Sequence, residues 1–186
     1  MKRLFAAIKV QPDEHLISVY NSLKSSLRHE KITWVSEKNI HITLKFFGDT
    51  AEDKIDDICQ VLDEVAFRSH PFDLSLEDIG IFGSSYDPRV IWFGMKKSEV
   101  VGKLAEDVIQ SLKTIGFEPD RQNFRPHLTV GRIKQVISKR QFQQIIDTFK
   151  DTFLQDVQVT DFQLYESILR PQGPIYTVVE SFKLGE

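Results

Sequence analysis

Asn39-Ile40-His41-Ile42-Thr43-Leu44-Lys45-Phe46-Phe47-Gly48 decides how the rest of the chain is read, because its centre has a second copy. Arg125-Pro126-His127-Leu128-Thr129-Val130-Gly131-Arg132 follows 86 residues later. Both copies carry His, an aliphatic residue, Thr and an aliphatic residue. Short runs of this alternation read as strands, and in a strand residues i and i+2 point to the same face. His41 and Thr43 therefore share one face while Ile42 and Leu44 fill the other. His127 and Thr129 stand in the same relation to Leu128 and Val130. A strand so patterned lays a polar site over an apolar core.

The surrounding chain has 186 residues, enough for one domain or two small lobes with a sizeable core. A formal net charge of −3 gives no bulk attraction to nucleic acid, though it permits a local basic groove. With Cys59 the single cysteine there is no internal disulfide framework, which suits a reducing compartment. The first ten residues form a short apolar run interrupted by Lys9. They are too short for a signal peptide or membrane span, so a buried first strand and a cytoplasmic protein are expected.

Arg3 to Val10 reads as that strand. Pro12-Asp13-Glu14 starts a helix whose apolar positions are Leu16, Val19, Tyr20, Leu23 and Leu27. A short strand over 32–35 leads into the first motif strand, which Gly48-Asp49-Thr50 is expected to break. A second helix spans 53–67, with Ile55, Ile58, Leu62 and Val65 as its stripe. Two strands, Phe72 to Phe82 and Arg89 to Lys96, flank the turn-rich Gly83–Pro88 segment and are expected to pair antiparallel. Val100, Leu104, Val108, Ile109 and Leu112 mark a third helix, stopped by Gly116. A loop over 117–125 delivers the second motif strand. Ser138 caps a fourth helix. A strand over 153–168 and a last one over 175–184 flank a turn at 171–174.

The order repeats. Each pass is helix, His-x-Thr strand, helix, long strand, turn, strand, from about 13 to 97 and again from about 99 to 184. The expectation is a single α+β domain, residues 1–186. It comprises two pseudo-symmetric lobes, each an antiparallel sheet with helices on its outer face, and a cleft between them where the motif strands meet.

One His-x-Thr is weak evidence: with nine Thr in the chain, a given His has about a one-in-twenty chance of Thr two residues on. Two among five His, at equivalent places of a repeated pattern, are far less accidental. His15, His29 and His70 sit at helix ends or before a proline and are read as structural. Paired imidazoles make an acid/base couple near neutrality, one neutral and one protonated. That couple suits displacement at phosphorus, where entering and leaving oxygens lie on opposite sides. Thr43 and Thr129 are placed to bond non-bridging phosphate oxygens. Arg132, five residues from His127, points away on a straight strand and needs a bulge to serve the site. No metal site is expected, because two His without Asp, Glu or Cys on the same face form an incomplete ligand set. No nucleophile elbow or phosphate-binding Gly-rich loop occurs.

The words Asn-Ile-His-Ile-Thr-Leu-Lys-Phe-Phe-Gly and Phe-Arg-Pro-His-Leu-Thr-Val-Gly-Arg resemble the paired HXTX signatures of the 2H phosphoesterase superfamily. They are closest to its bacterial and archaeal branch of 2'-5' RNA ligase-like RNA 2',3'-cyclic phosphodiesterases. The resemblance extends to the Arg-Val-Ile-Trp-Phe-Gly stretch at 89–94 and covers nearly the whole chain. It implies a cofactor-free, metal-independent hydrolase that opens an RNA 2',3'-cyclic phosphate to a 2'-phosphate, with RNA as partner. His41 would be the proton donor and His127 the proton acceptor. Thr43 and Thr129, helped by Arg132, would hold the phosphate, and Phe46 would stack on the terminal base. Phe46 is odd-stepped from His41, so this role requires a bent strand. Arg125 and Trp92 are lesser candidates, Trp92 reading better as a packing residue. The alternative is a 2H phosphodiesterase acting on small cyclic nucleotide phosphates or 2'-5' linkages, with reversible 2'-5' ligation as a side activity. A monomer is expected.

Overall fold

Among the described residues nine strands and four α-helices follow in the order β1 (Lys2–Lys9), α1 (Glu14–Ser26), β2 (Lys31–Trp34), β3 (His41–Thr50), α2 (Ile55–Phe67), β4 (Phe72–Gly83), β5 (Pro88–Lys96), α3 (Ser98–Leu112), β6 (Leu128–Gln135), α4 (Lys139–Phe149), β7 (Phe153–Val159), β8 (Asp161–Ile168) and β9 (Ile175–Lys183). The computed structural model describes residues 1–84, 86–119, 125–171 and 173–185. Positions 120–124 of the predicted 117–125 loop, Ser85 of the first turn and Gln172 of the last lie outside the described residues.

All strand pairs are antiparallel, in the order β7-β4-β5-β6-β3-β1-β8-β9, with β2 also on β6. The two halves of this curled sheet meet through one residue pair, Ile42 opposite Leu128 in β3 and β6. The expected pair of lobe sheets is thus one sheet, joined at the two motifs. Helices α2 and α3 cover the β3-β1-β8-β9 half, and α1 and α4 cover the half containing β4 and β7. The architecture is α+β with two lobes.

The helix stripes are those the 3.6-residue period dictates. Leu16, Tyr20 and Leu23 of α1 are buried, as are Ile58, Leu62 and Val65 of α2 and Phe142 and Ile146 of α4. Asp13 caps α1 by accepting from the Leu16 N–H at 2.8 Å, and Ser138 caps α4. In α3 Leu104, Val108 and Leu112 are buried as expected, but Val101 is buried where Val100 was expected, and Val100 faces out. Ile42, Leu44, Leu128 and Val130 are all buried in the main core, as their alternation predicts.

Two predicted features differ. Gly48-Asp49-Thr50 does not break the first motif strand, because β3 runs through Thr50. Gly48, at φ 73°, accommodates an irregularity in the pairing with β1 and lets the strand continue. The single strand expected over 153–168 is two. β7 pairs with β4 in one lobe, and after Thr160 the chain crosses to the other lobe, where β8 lies between β1 and β9. Strand-like alternation continues on both sides of Thr160, so the period holds no sign of the crossing.

Candidate active site

Where β3 and β6 meet, the Ile42–Leu128 pair leaves His41 level with Thr129 and Thr43 level with His127. Residues diagonally across an antiparallel pair are about 7–8 Å apart, so His41 and His127 stand near one another, one on each motif strand, over the same cleft. Behind them, the buried faces of both strands are anchored in the core. His41, Thr43, His127 and Thr129 all line one cleft of about 1120 Å³.

Each imidazole is held the same way. His41 Nδ1 lies 2.7 Å from the Asn39 carbonyl oxygen, and His127 Nδ1 lies 2.6 Å from the Arg125 carbonyl oxygen. A carbonyl only accepts, so Nδ1 carries the proton in both rings and Nε2 is the working nitrogen. Burial pushes the pKa of both His below the ordinary value. The Arg132 guanidinium pushes both down further, and His127 adds to the effect on His41. The backbone hydrogen bonds act in the opposite direction without offsetting burial.

Aromatic rings wall each imidazole. Phe5 and Tyr176 lie 5.0 and 5.4 Å from the His41 ring, and Phe82 meets His127 edge-on at 4.7 Å. Phe82 is backed at 5.5 Å by Trp92. Trp92 fits because the facing positions are glycines: a Cβ at Gly80 would come within 2.3 Å of the indole. Its Nε1 is buried with no hydrogen-bond partner among the described residues. Trp92 therefore packs beside the site and does not line the cleft, in agreement with its reading as a packing residue.

The parity problem of Phe46 and Arg132 is resolved by two bulges. β1 pairs Ala6 with Lys45 and Ala7 with Thr43, which leaves Leu44 as an extra residue. β5 pairs Ile91 with Gly131 and Trp92 with Thr129, which leaves Val130 as an extra residue. An extra residue shifts the alternation by one step. Phe46 and Arg132, each five residues past its motif His, are thereby turned into the cleft. Phe46 is 59% exposed and its ring lies 6.0 Å from Phe5. Arg125 also lines the cleft, as do Lys38 from the β2–β3 connection and Arg170 from the β8–β9 turn. Lys45 is buried beneath, with Nζ donating to the Glu118 carbonyl at 3.1 Å. No Asp or Glu is among the described lining residues, so a chain with negative net charge presents a basic cleft.

His15, His29 and His70 do not line the cleft. The sequence reading missed Tyr176, Phe5, Lys38 and Arg170, which carry no motif and reach the site through sheet pairing and a turn. Among the described residues no group of three or more His, Cys, Asp and Glu side chains is placed to hold a metal ion, and no helix is long and apolar enough to cross a membrane.

Comparison with known proteins gives concordant results. The family model described as LigT-like phosphoesterase matches residues 8–92 and again 95–176. The chain is 36% identical over 181 residues to an RNA 2',3'-cyclic phosphodiesterase of Archaeoglobus fulgidus, covering 97% of this chain and 99% of that protein. It is 32% identical over 184 residues to a protein of the same description from Methanothermobacter thermautotrophicus, covering 98% of each. A crystal structure of a Thermus thermophilus protein superposes with a TM-score of 0.81 at 26% identity, covering 99% of both chains. The crystal structure of E. coli LigT complexed with 3'-AMP gives 0.78 at 25% identity, covering 100% of this chain and 99% of that one.

Proposed function

The chain belongs to the family of LigT-like phosphoesterases, and from that premise we propose that it hydrolyses RNA 2',3'-cyclic phosphate ends to 2'-phosphates, with His41 and His127 as a metal-independent acid/base pair. The observation that carries this reading is the paired geometry: two imidazoles, each tautomerically fixed by a backbone carbonyl, facing one basic cleft.

In the proposed reaction the phosphate sits between the rings. Thr43 and Thr129 donate hydroxyl hydrogen bonds to its non-bridging oxygens, and Arg132 neutralises the charge that grows on them. His127 Nε2 accepts a proton from water as the water oxygen bonds to phosphorus. The P–O3' bond breaks opposite, and His41 Nε2–H gives its proton to the departing O3'. One water is consumed and the phosphate stays on O2'. Phe46 holds the terminal base by stacking. The free cleft disfavours the imidazolium that His41 must be, because burial, Arg132 and His127 all lower its pKa. The bound phosphodiester anion opposes this by placing negative charge between the rings, so substrate binding itself arms the donor. With an RNA 5'-hydroxyl in place of water, the same residues would join it to the cyclic phosphate as a 2'-5' linkage, with O3' again leaving and protonated by His41, which we rank as a side activity. The duplicated layout within one domain, a monomeric state and a cytoplasmic location belong to the same proposal.

The test is incubation of an RNA bearing a 2',3'-cyclic end with the protein in EDTA, followed by identification of the product. A 2'-phosphate formed at full rate is expected. A 3'-phosphate product, or loss of activity in EDTA restored by a divalent ion, would contradict the mechanism.

A further inference from the structure

A second, smaller groove of about 300 Å³ lies further from the histidines along β5 and β6 than the cleft residues of these strands. Val90 and Arg132, paired across β5 and β6, line the cleft; Lys134, two residues on and on the same face as Arg132, lines the groove together with Arg89 and Ile133. The tip of the β4–β5 hairpin forms one wall and the start of α4 the other. Tyr86 on the tip is 79% exposed, with Lys139 Nζ 5.5 Å from its ring centre. Among the described lining residues three cations, Arg89, Lys134 and Lys139, stand against one acid. That acid, Asp87, accepts from Arg89 Nε at 3.0 Å and Nη2 at 2.7 Å. The net charge at this end of the cleft is therefore positive. Exposed aromatic surface beside cations is the combination that grips single-stranded nucleic acid without reading its sequence.

Direction supports the same occupant. β3 and β6 are antiparallel, so Phe46 and Arg132 leave the His pair towards opposite ends of the cleft. With the terminal base on Phe46, a chain running the other way passes Arg132 and enters the groove. We infer that the Tyr86–Lys134–Lys139 groove binds the nucleotides on the 5' side of the cyclic phosphate, making an oligoribonucleotide, not a cyclic mononucleotide, the preferred substrate. This rests on the proposed phosphodiesterase reading and deepens it. The backbone phosphates meet Lys134 and Lys139, and one base lies against Tyr86.

The experiment compares kcat/KM for a cyclic mononucleotide, a dinucleotide and a tetranucleotide, each ending in a 2',3'-cyclic phosphate. The parent protein is expected to gain about tenfold or more from mononucleotide to tetranucleotide. Tyr86→Ala and the double variant Lys134→Ala/Lys139→Ala should lose most of that gain while keeping the parent rate on the mononucleotide. Each lysine removed should flatten the salt dependence for the tetranucleotide by a slope of about 0.7. In parallel, a fluorescent tetranucleotide ending in a 3'-phosphate reads binding by anisotropy, independently of turnover, and should bind the variants more weakly. Absence of a length effect in the parent, or equal losses on short and long substrates, would overturn the groove assignment. Failure of the parent on every cyclic substrate would sink the phosphodiesterase reading, and unchanged anisotropy in the variants would then sink the groove as well.

Discussion

β3 and β6 each fall out of step with a neighbouring strand at the fourth residue of the motif, Leu44 in one and Val130 in the other. Each fixes its imidazole through Nδ1 to the carbonyl two residues earlier. Up to this point the two halves of the site are interchangeable. They differ at the fifth residue past the histidine, where the bulge presents Phe46 on one side and Arg132 on the other. They differ also in their walls. His41 is packed by Phe5 and Tyr176, whereas His127 meets Phe82 backed by Trp92. The backbone supplies a symmetric clamp, and in the proposed reaction the side chains at equivalent positions divide the labour between a base and a phosphate.

The largest effects test the shared part. His41→Ala and His127→Ala should each lower turnover of a cyclic-phosphate RNA by about 10²–10⁴-fold. The double variant should be little worse than either single one, because acid and base act in one step. A single variant with near-parental activity would break the equivalence of the halves. The next effects test the divided part. Arg132→Ala should cost about 10²–10³-fold in kcat, the range for losing a preorganised donor to transition-state charge. It should also move the pH optimum of kcat/KM upward, because Arg132 lowers both histidines. Phe46→Ala should instead raise KM for RNA, by the equivalent of about 1–3 kcal/mol of stacking, with kcat nearly kept. If Phe46→Ala lowered kcat as Arg132→Ala does, the division of labour would be wrong.

Much of this was legible beforehand. The His-x-Thr alternation named both catalytic candidates and the core residues beneath them, and the helix stripes follow from the period of apolar residues. What was hidden was every place where pairing, not pattern, decides. Leu44-Lys45 and Val130-Gly131 read like neighbouring strand residues, so nothing in the sequence marks Leu44 and Val130 as the extra ones. The bulges arise from matching each motif strand to its neighbour. Thr160 is equally silent about the chain crossing between lobes. Tyr176 sits on a strand that the turn at 171–174 places beside β8, but nothing local signals that β8 pairs with β1, which brings the ring to His41.

The aromatic walls give a prediction confined to one half. Gly80→Ala places a methyl group within 2.3 Å of the Trp92 ring. Overpacking of this kind costs about 1–3 kcal/mol, readable as a lower urea midpoint. The displaced indole presses on Phe82 and hence on His127, so activity should fall while the Phe46-dependent binding step is kept. A variant as stable as the parent would mean that Trp92 has room to move and does not buttress that half.

The smallest effect concerns protons and separates the two histidines. Both have folded-state pKa values below the ordinary one. As pH falls through about 6.5 the unfolded chain takes up protons first, so it binds more protons than the folded state. The stability attached to the neutral rings is complete above that pH and is lost as pH falls through the folded values. The melting temperature should therefore drop between about pH 7.5 and pH 5, and replacing His41 or His127 with Asn should reduce the drop. His41 is the more enclosed ring, and burial is the first cause that lowers both values. His41→Asn should therefore reduce the drop more than His127→Asn does. The reverse order would mean that the Phe82 side of the cleft is the drier one, and the acid and base would then have to be reassigned.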